Sequence, residues 1–153
     1  MIAQENKIEI RKLTREEAYR LFSESSSAEV DGILRLCSDI DIDPFDFIET
    51  FSHEYLGFVE DGRPVYIAAI MKDVDGSYDF RTVANTNIKN MISLCKHSKR
   101  ILDGWIQKYG QIHAYMPRGN DESIKWTEWL GFKRVYEDDK VIHYIKGENH
   151  GLR

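Results

Sequence analysis

The stretch Asn120–Phe132, NDESIKWTEWLGF, contains a helix start, a helix stop and a strip of small polar residues within thirteen positions. Asn120 suits an N-cap, because its side-chain oxygen can accept a backbone N–H that the first helical turn leaves unpaired. Asp121 and Glu122 follow at the positive end of the helix dipole, and Gly131 supplies the stop. At about 100° per residue, Trp126, Trp129 and Leu130 share one arc, expected to bury against a core. Asn120, Ser123 and Thr127 line the neighbouring arc, where small hydrogen-bonding groups would suit the wall of a groove for an extended ligand. The competing reading is a capped amphipathic helix that feeds a strand.

Outward from this helix the chain reads as alternating short elements. KIEIRK (Lys7–Lys12) alternates apolar and charged residues as a half-buried strand does, and Thr14 with Glu17 forms a capping box for a helix carrying Ala18, Leu21 and Phe22. Ser23–Ser27 breaks it before a second helical stretch with Val30, Ile33, Leu34 and Cys37. After the acidic turn Asp39–Asp43, Pro44 can open a short helix with Phe45, Phe47, Ile48 and Phe51. From Tyr55, three β-prone runs are separated by Asp61-Gly62 and Asp75-Gly76, which predicts an antiparallel meander. Asn87–Tyr109 is apolar at spacings of three and four, the pattern of a long helix closed by Gly110. Gln111–Met116 is a further strand, and Phe132–Tyr136 with Lys140–Lys146 a closing hairpin.

The resulting order is β-α-α-β-β-β-α-β-α-β-β, an α/β chain with a mixed, mostly antiparallel central sheet flanked by helices. The expected organisation is one domain over residues 1–146 with a loose tail at 147–153. At 153 residues, 42% hydrophobic and 31% charged, the chain is long enough for a core without disulfides or metal.

Composition also narrows the function. A net charge of −5 argues against general nucleic-acid binding, which needs clustered Lys and Arg, although Lys89, Lys96, His97, Lys99 and Arg100 make the middle of the chain basic. Cys37 and Cys95 lie in no CxxC or nucleophile motif and fit a reducing cytoplasm. No signal-peptide pattern opens the chain, and the longest apolar run, Pro64–Met71, is strand-sized, so a membrane role is not expected. His53-Glu54 lacks the second histidine of a zinc-protease motif, and no metal site, GxSxG elbow, Walker loop or dinucleotide fingerprint is present.

The element order and the Asn120–Phe132 segment resemble the GCN5-related N-acetyltransferase (GNAT) superfamily, whose last helix carries a pattern like N-x-x-A-I-x-x-Y-E-x-L-G-F. Asn120, Ile124, Glu128, Leu130, Gly131 and Phe132 fall in place, with Ser123 where a small residue is usual. The resemblance implies acetyl-coenzyme A in a cleft where two neighbouring parallel strands splay apart. Asn120, Ser123 and Thr127 would then face its pantetheine arm, and Thr86, Asn87 and Lys89, at the start of the long helix, would face its phosphates. Family enzymes usually carry a glycine-rich Q/R-x-x-G-x-G/A turn there, whereas this chain has ANTNIKNM. Thr127 stands where the family often places a tyrosine that protonates the departing thiolate, a role for which a threonine hydroxyl is too weak an acid.

In finer detail, Tyr109-Gly110, Gly119-Asn120, Ile124-Lys125-Trp126 and Tyr136–Lys140 resemble internal-virion or virion-morphogenesis proteins of T7-like podoviruses, over residues 87–146. That likeness implies phage proteins as partners and the host cytoplasm or the virion as location. If the chain transfers acetyl groups to an amine, Asp79 is the candidate base by position, against the bland reading of a surface strand residue beside a turn. His113 and Tyr115 alternate to one face of their strand and could reach the cleft; a packed histidine and a rim tyrosine are the competing reading.

Overall fold

The computed structural model describes residues 8–25, 28–85 and 88–147. Its elements are β1 (Ile8–Arg11), α1 (Arg15–Glu24), α2 (Ala28–Asp39), α3 (Pro44–Phe51), β2 (Ser52–Glu60), β3 (Arg63–Lys72), β4 (Tyr78–Ala84), α4 (Met91–Tyr109), β5 (Ile112–Pro117), α5 (Asp121–Trp129), β6 (Lys133–Glu137) and β7 (Val141–Lys146). The strands form one mixed sheet in the order β1-β2-β3-β4-β5-β7-β6. β1–β2, β5–β7 and β6–β7 are antiparallel, and β4–β5 is parallel. Three helices, not two, precede β2: the short helix opened by Pro44 is a full element, missing from the expected order. Residues 148–153 of the expected tail lie outside the described residues.

Local chemistry accounts for the boundaries. Thr14 and Glu17 close a reciprocal capping box at α1. Asp43 caps α3 by accepting the N–H groups of Phe45 and Asp46, and Pro44 sits where a missing N–H does no harm. Asp61 and Gly62 both take positive φ (50° and 77°), as a two-residue turn between β2 and β3 requires. α4 starts at Met91, four residues later than the periodicity predicts.

Contacts divide the chain into two units. One comprises residues up to Ala69 together with Thr82–Leu94, the other Ile70–Arg81 together with Cys95 onward. β3, β4 and α4 each contribute residues to both. The first unit is built on an apolar cluster that includes Leu21, Phe22, Val30, Tyr55, Ile67 and Val83. In the second, the Phe80 ring stacks on Phe132 at 5.7 Å and meets Trp105 edge-on at 6.3 Å. Ile112, Ala114, Leu130 and Tyr144 are fully buried in that unit. Among the described residues, no helix is long and apolar enough to cross a membrane.

Candidate active site

Strand alternation sends Phe80 into the core of the second unit and its neighbours Asp79 and Arg81 to the opposite face. The parallel ladder consists of Tyr78↔Ile112 and Asp79↔His113. β5 continues in register with β7 as far as Pro117↔Val141, while Phe80 and Arg81 have no ladder partner on β5. β4 and β5 therefore part immediately after Asp79 and His113.

Asp79 is 3% exposed, which corrects the expectation of a surface strand residue. Burial pushes its carboxyl up to about 7, and the hydrogen bond that the protonated carboxyl donates to the neighbouring Asp73 carboxylate adds to the rise. Arg81, 3.9 Å away, pulls the other way. Asp79 Oδ1 has no hydrogen-bond partner. A carboxyl poised near neutrality with an unpaired oxygen has the chemistry of a general base.

On the same face, His113 Nδ1 lies 2.8 Å from His143 Nε2. One ring nitrogen must donate and the other accept, so at least one imidazole is neutral. Burial, and then the neighbouring His113, lower the pKa of His143. The Tyr115 ring stacks on His143 at 4.4 Å, and burial followed by the charges of Asp79, Asp73 and Asp75 raises its hydroxyl pKa. The structure thus brings Asp79, His113 and Tyr115 together and adds Asp73, Arg81 and His143. His143 was legible in principle, since alternation along VIHYIK sets it on the face of Val141 and Ile145; Asp73 carried no sequence signal.

α5 departs from expectation. Asn120 is the N-cap, its side chain accepting the Ser123 N–H at 3.4 Å. Thr127 is 2% exposed, and its hydroxyl donates to the Ser123 carbonyl at 2.7 Å, inside the helix. Trp129, expected in the core, is 47% exposed and stacks on the half-buried Trp126, with Lys99 Nζ 4.5 Å from its ring centre. The buried arc is centred on Thr127 and Leu130, one residue step round from the arc of the tryptophans.

In the first unit, Glu60 fills the start of α4. Its carboxylate, 4% exposed, accepts the N–H of Lys89 at 3.0 Å and of Asn90 at 2.8 Å. Asn90 then accepts the Ser93 N–H at 3.2 Å as a cap. This explains the late start of the helix. Thr86 and Asn87 lie outside the described residues, and Lys89 is exposed. The backbone N–H groups that a phosphate would use here already hold the chain's own carboxylate. Nothing in the local sequence announces this, because Glu60 and Asn90 are thirty positions apart.

No family model and no curated protein sequence matches the chain. Solved structures do. A GNAT-family acetyltransferase from Bacillus anthracis superposes with a TM-score of 0.65 at 16% identity, covering 95% of this chain and 97% of that one. The PaiA N-acetyltransferase of Thermoplasma acidophilum, in complex with coenzyme A, gives 0.64 at 16% identity over 92% and 99%. Campylobacter jejuni N-acetyltransferase PseH, in complex with acetyl coenzyme A, gives 0.56 at 15% identity over 94% and 100%. The chain has the GNAT fold. At these identities the likeness establishes the GNAT architecture alone, and the GNAT neighbours' coenzymes are theirs.

Proposed function

We propose that the protein is an N-acyltransferase that moves an acetyl group from acetyl-coenzyme A to an amine by direct attack, with Asp79 taking the amine's proton. The supporting observation is the position of Asp79: buried, without a hydrogen-bond partner at Oδ1, raised to about 7, and sited where β4 and β5 part. Asn120 and Ser123 are the proposed contacts to the pantetheine arm. Thr127 acts beneath them by fixing the first turns of α5. Thr86, Asn87 and Lys89 complete the proposed coenzyme set, with the phosphates obliged to compete with Glu60 for the amides before α4. Tyr115 and His113 line the acceptor's approach. The departing thiolate takes its proton from water, since no tyrosine stands at position 127 and a thiol is acidic enough to leave as the anion.

Thiol release from acetyl-coenzyme A, followed over a panel of primary amines, tests this reading. Asp79→Asn is expected to lower kcat about 100-fold or more while leaving KM for the coenzyme near its original value. Turnover by Asp79→Asn at the wild-type rate would remove Asp79 from the chemistry.

Glu60 favours a second reading, a non-catalytic phage protein of this fold acting in virion assembly through protein contacts, in the host cytoplasm or the virion. On that reading the carboxylate seals the start of α4 for good. Acetyl-coenzyme A then leaves the melting temperature unchanged in wild type and in Glu60→Gln alike.

A further inference from the structure

α2 carries more apolar surface than the core of the first unit takes. Val30 and Cys37 are buried and Ile33 packs against the apolar cluster, so the helix turns those three side chains inward. At about 100° per residue, Leu36 and Ile40 lie beside Ile33 on one flank, with Gly32 next along it. Ile40 follows the last residue of α2 but keeps the helical path, its N–H donating to the Leu36 carbonyl at 3.1 Å. Leu36 is 45% exposed and Ile40 48% exposed. Two large aliphatic side chains one turn apart thus form an exposed ridge alongside the buried line.

Two further features say what fits this ridge. Gly32 is exposed within the helix, and a Cβ built on it would meet nothing within 4 Å. Among the described residues nothing requires a glycine there, and glycine weakens a helix relative to alanine. What its missing side chain permits is the close approach of a second molecule. Arg35 and Asp39, one turn apart and exposed, border the ridge and form no ion pair among the described residues. The same helix, reversed about Leu36, complements each of these features. In an antiparallel pair with its two-fold axis at Leu36, position 32 of one copy stands level with position 40 of the other, so Ile40 enters the space over Gly32. Arg35 then lies two residue rises, about 3 Å along the helix, from Asp39 of the second copy. Both relations occur twice, as an isologous contact requires.

We propose that α2 is a homodimer interface in which residues 32–40 of two copies pack antiparallel, Leu36 on Leu36, with reciprocal Arg35–Asp39 pairs at the rim. No residue of this surface belongs to the proposed active site, so the dimer is independent of the acetyl-transfer reading. α2 has 12 residues, about 18 Å of contact, which falls short of the roughly 800 Å² per partner of a standard interface. Association is therefore weak and reversible, with a dissociation constant on the order of 10–100 μM.

Sedimentation equilibrium of the full chain from about 1 μM to about 500 μM tests the proposal, with thermal melts at about 1 μM to check the folding of each variant. Wild type is expected to pass from monomer to dimer across that range. Leu36→Glu, at an exposed position, should melt as wild type does and stay monomeric. Gly32→Leu should raise the melting temperature of the monomer, because leucine is the better helix former, and weaken the dimer at least about tenfold by filling the space that Ile40 needs. Arg35→Glu should weaken the dimer about tenfold, and adding Asp39→Arg should restore it, since the reversed charges pair again. A wild type still monomeric at about 500 μM overturns the second copy as occupant and leaves the ridge to a different protein. A dimer indifferent to Leu36→Glu, or a charge reversal that Asp39→Arg does not rescue, overturns the antiparallel seam.

Discussion

Glu60 Oε2 accepts the Asn90 N–H at 2.8 Å, so a carboxylate from the end of β2 occupies the approach to α4. It acts both as a cap and as a resident anion. Glu60→Ala is expected to lower stability by about 1 kcal/mol, the worth of a lost cap, and to raise affinity for pyrophosphate ion by freeing the amides. Thermal melting and pyrophosphate titration measure the two effects. If pyrophosphate binding does not improve in a folded Glu60→Ala protein, Glu60 is a cap and nothing more.

Asp79 makes stability depend on pH. Its folded pKa of about 7 lies above the ordinary value of 3.8, so the native state holds more protons than the unfolded chain between those limits. Its contribution is therefore fully present below about pH 4 and is lost as pH rises toward 7. Asp79→Asn does not titrate, so relative to wild type it should gain on the order of a few kcal/mol on going from pH 4 to pH 8. Parallel melts across that range would show the two curves crossing or converging; a constant offset contradicts the raised pKa.

Thr127 is predicted to be structural. Thr127→Val keeps the shape and removes a hydroxyl whose bond is internal to α5, so stability should change by about 1 kcal/mol or less. Thiol release should stay within about twofold of wild type. A collapse of turnover with unchanged melting would return Thr127 to the chemistry.

The same helix offers a paired test of packing. Leu130→Ala is expected to cost about 2–5 kcal/mol, because Leu130 is fully buried. Trp129→Ala should cost far less, since nearly half of the ring is exposed and its contacts are Trp126 and Lys99 on the surface. Urea unfolding at matched m-values gives both numbers, and equal costs would put Trp129 back in the core.

These residues mark what a sequence can disclose. The capping box of Thr14 and Glu17, the Asp61-Gly62 turn and the Asn120 cap depend on neighbours a few positions away, so their chemistry is written locally and the element order followed from them. Periodicity placed Trp126, Trp129 and Leu130 on one arc but could not say that the core lies one step round, where Thr127 turns inward. Alternation put Asp79 opposite Phe80 without showing what covers that face. Glu60 was beyond reach because its partners are fixed only when β2 and the segment before α4 come together. His143 and Glu60 escaped the sequence because their partners lie about thirty positions away, whereas Asp73 and Arg81, close to Asp79 in sequence, join it only through the local course of β3, its turn and β4.

On the proposed function this fold still takes acetyl-coenzyme A. Calorimetry of the full chain with acetyl-coenzyme A tests it most directly, paired with thermal melts of wild type and Asn120→Ala. Saturable heat is expected, with a rise in melting temperature that Asn120→Ala weakens, because a ligand that binds only the native state must stabilise it. No heat and no thermal shift at about millimolar ligand would contradict it.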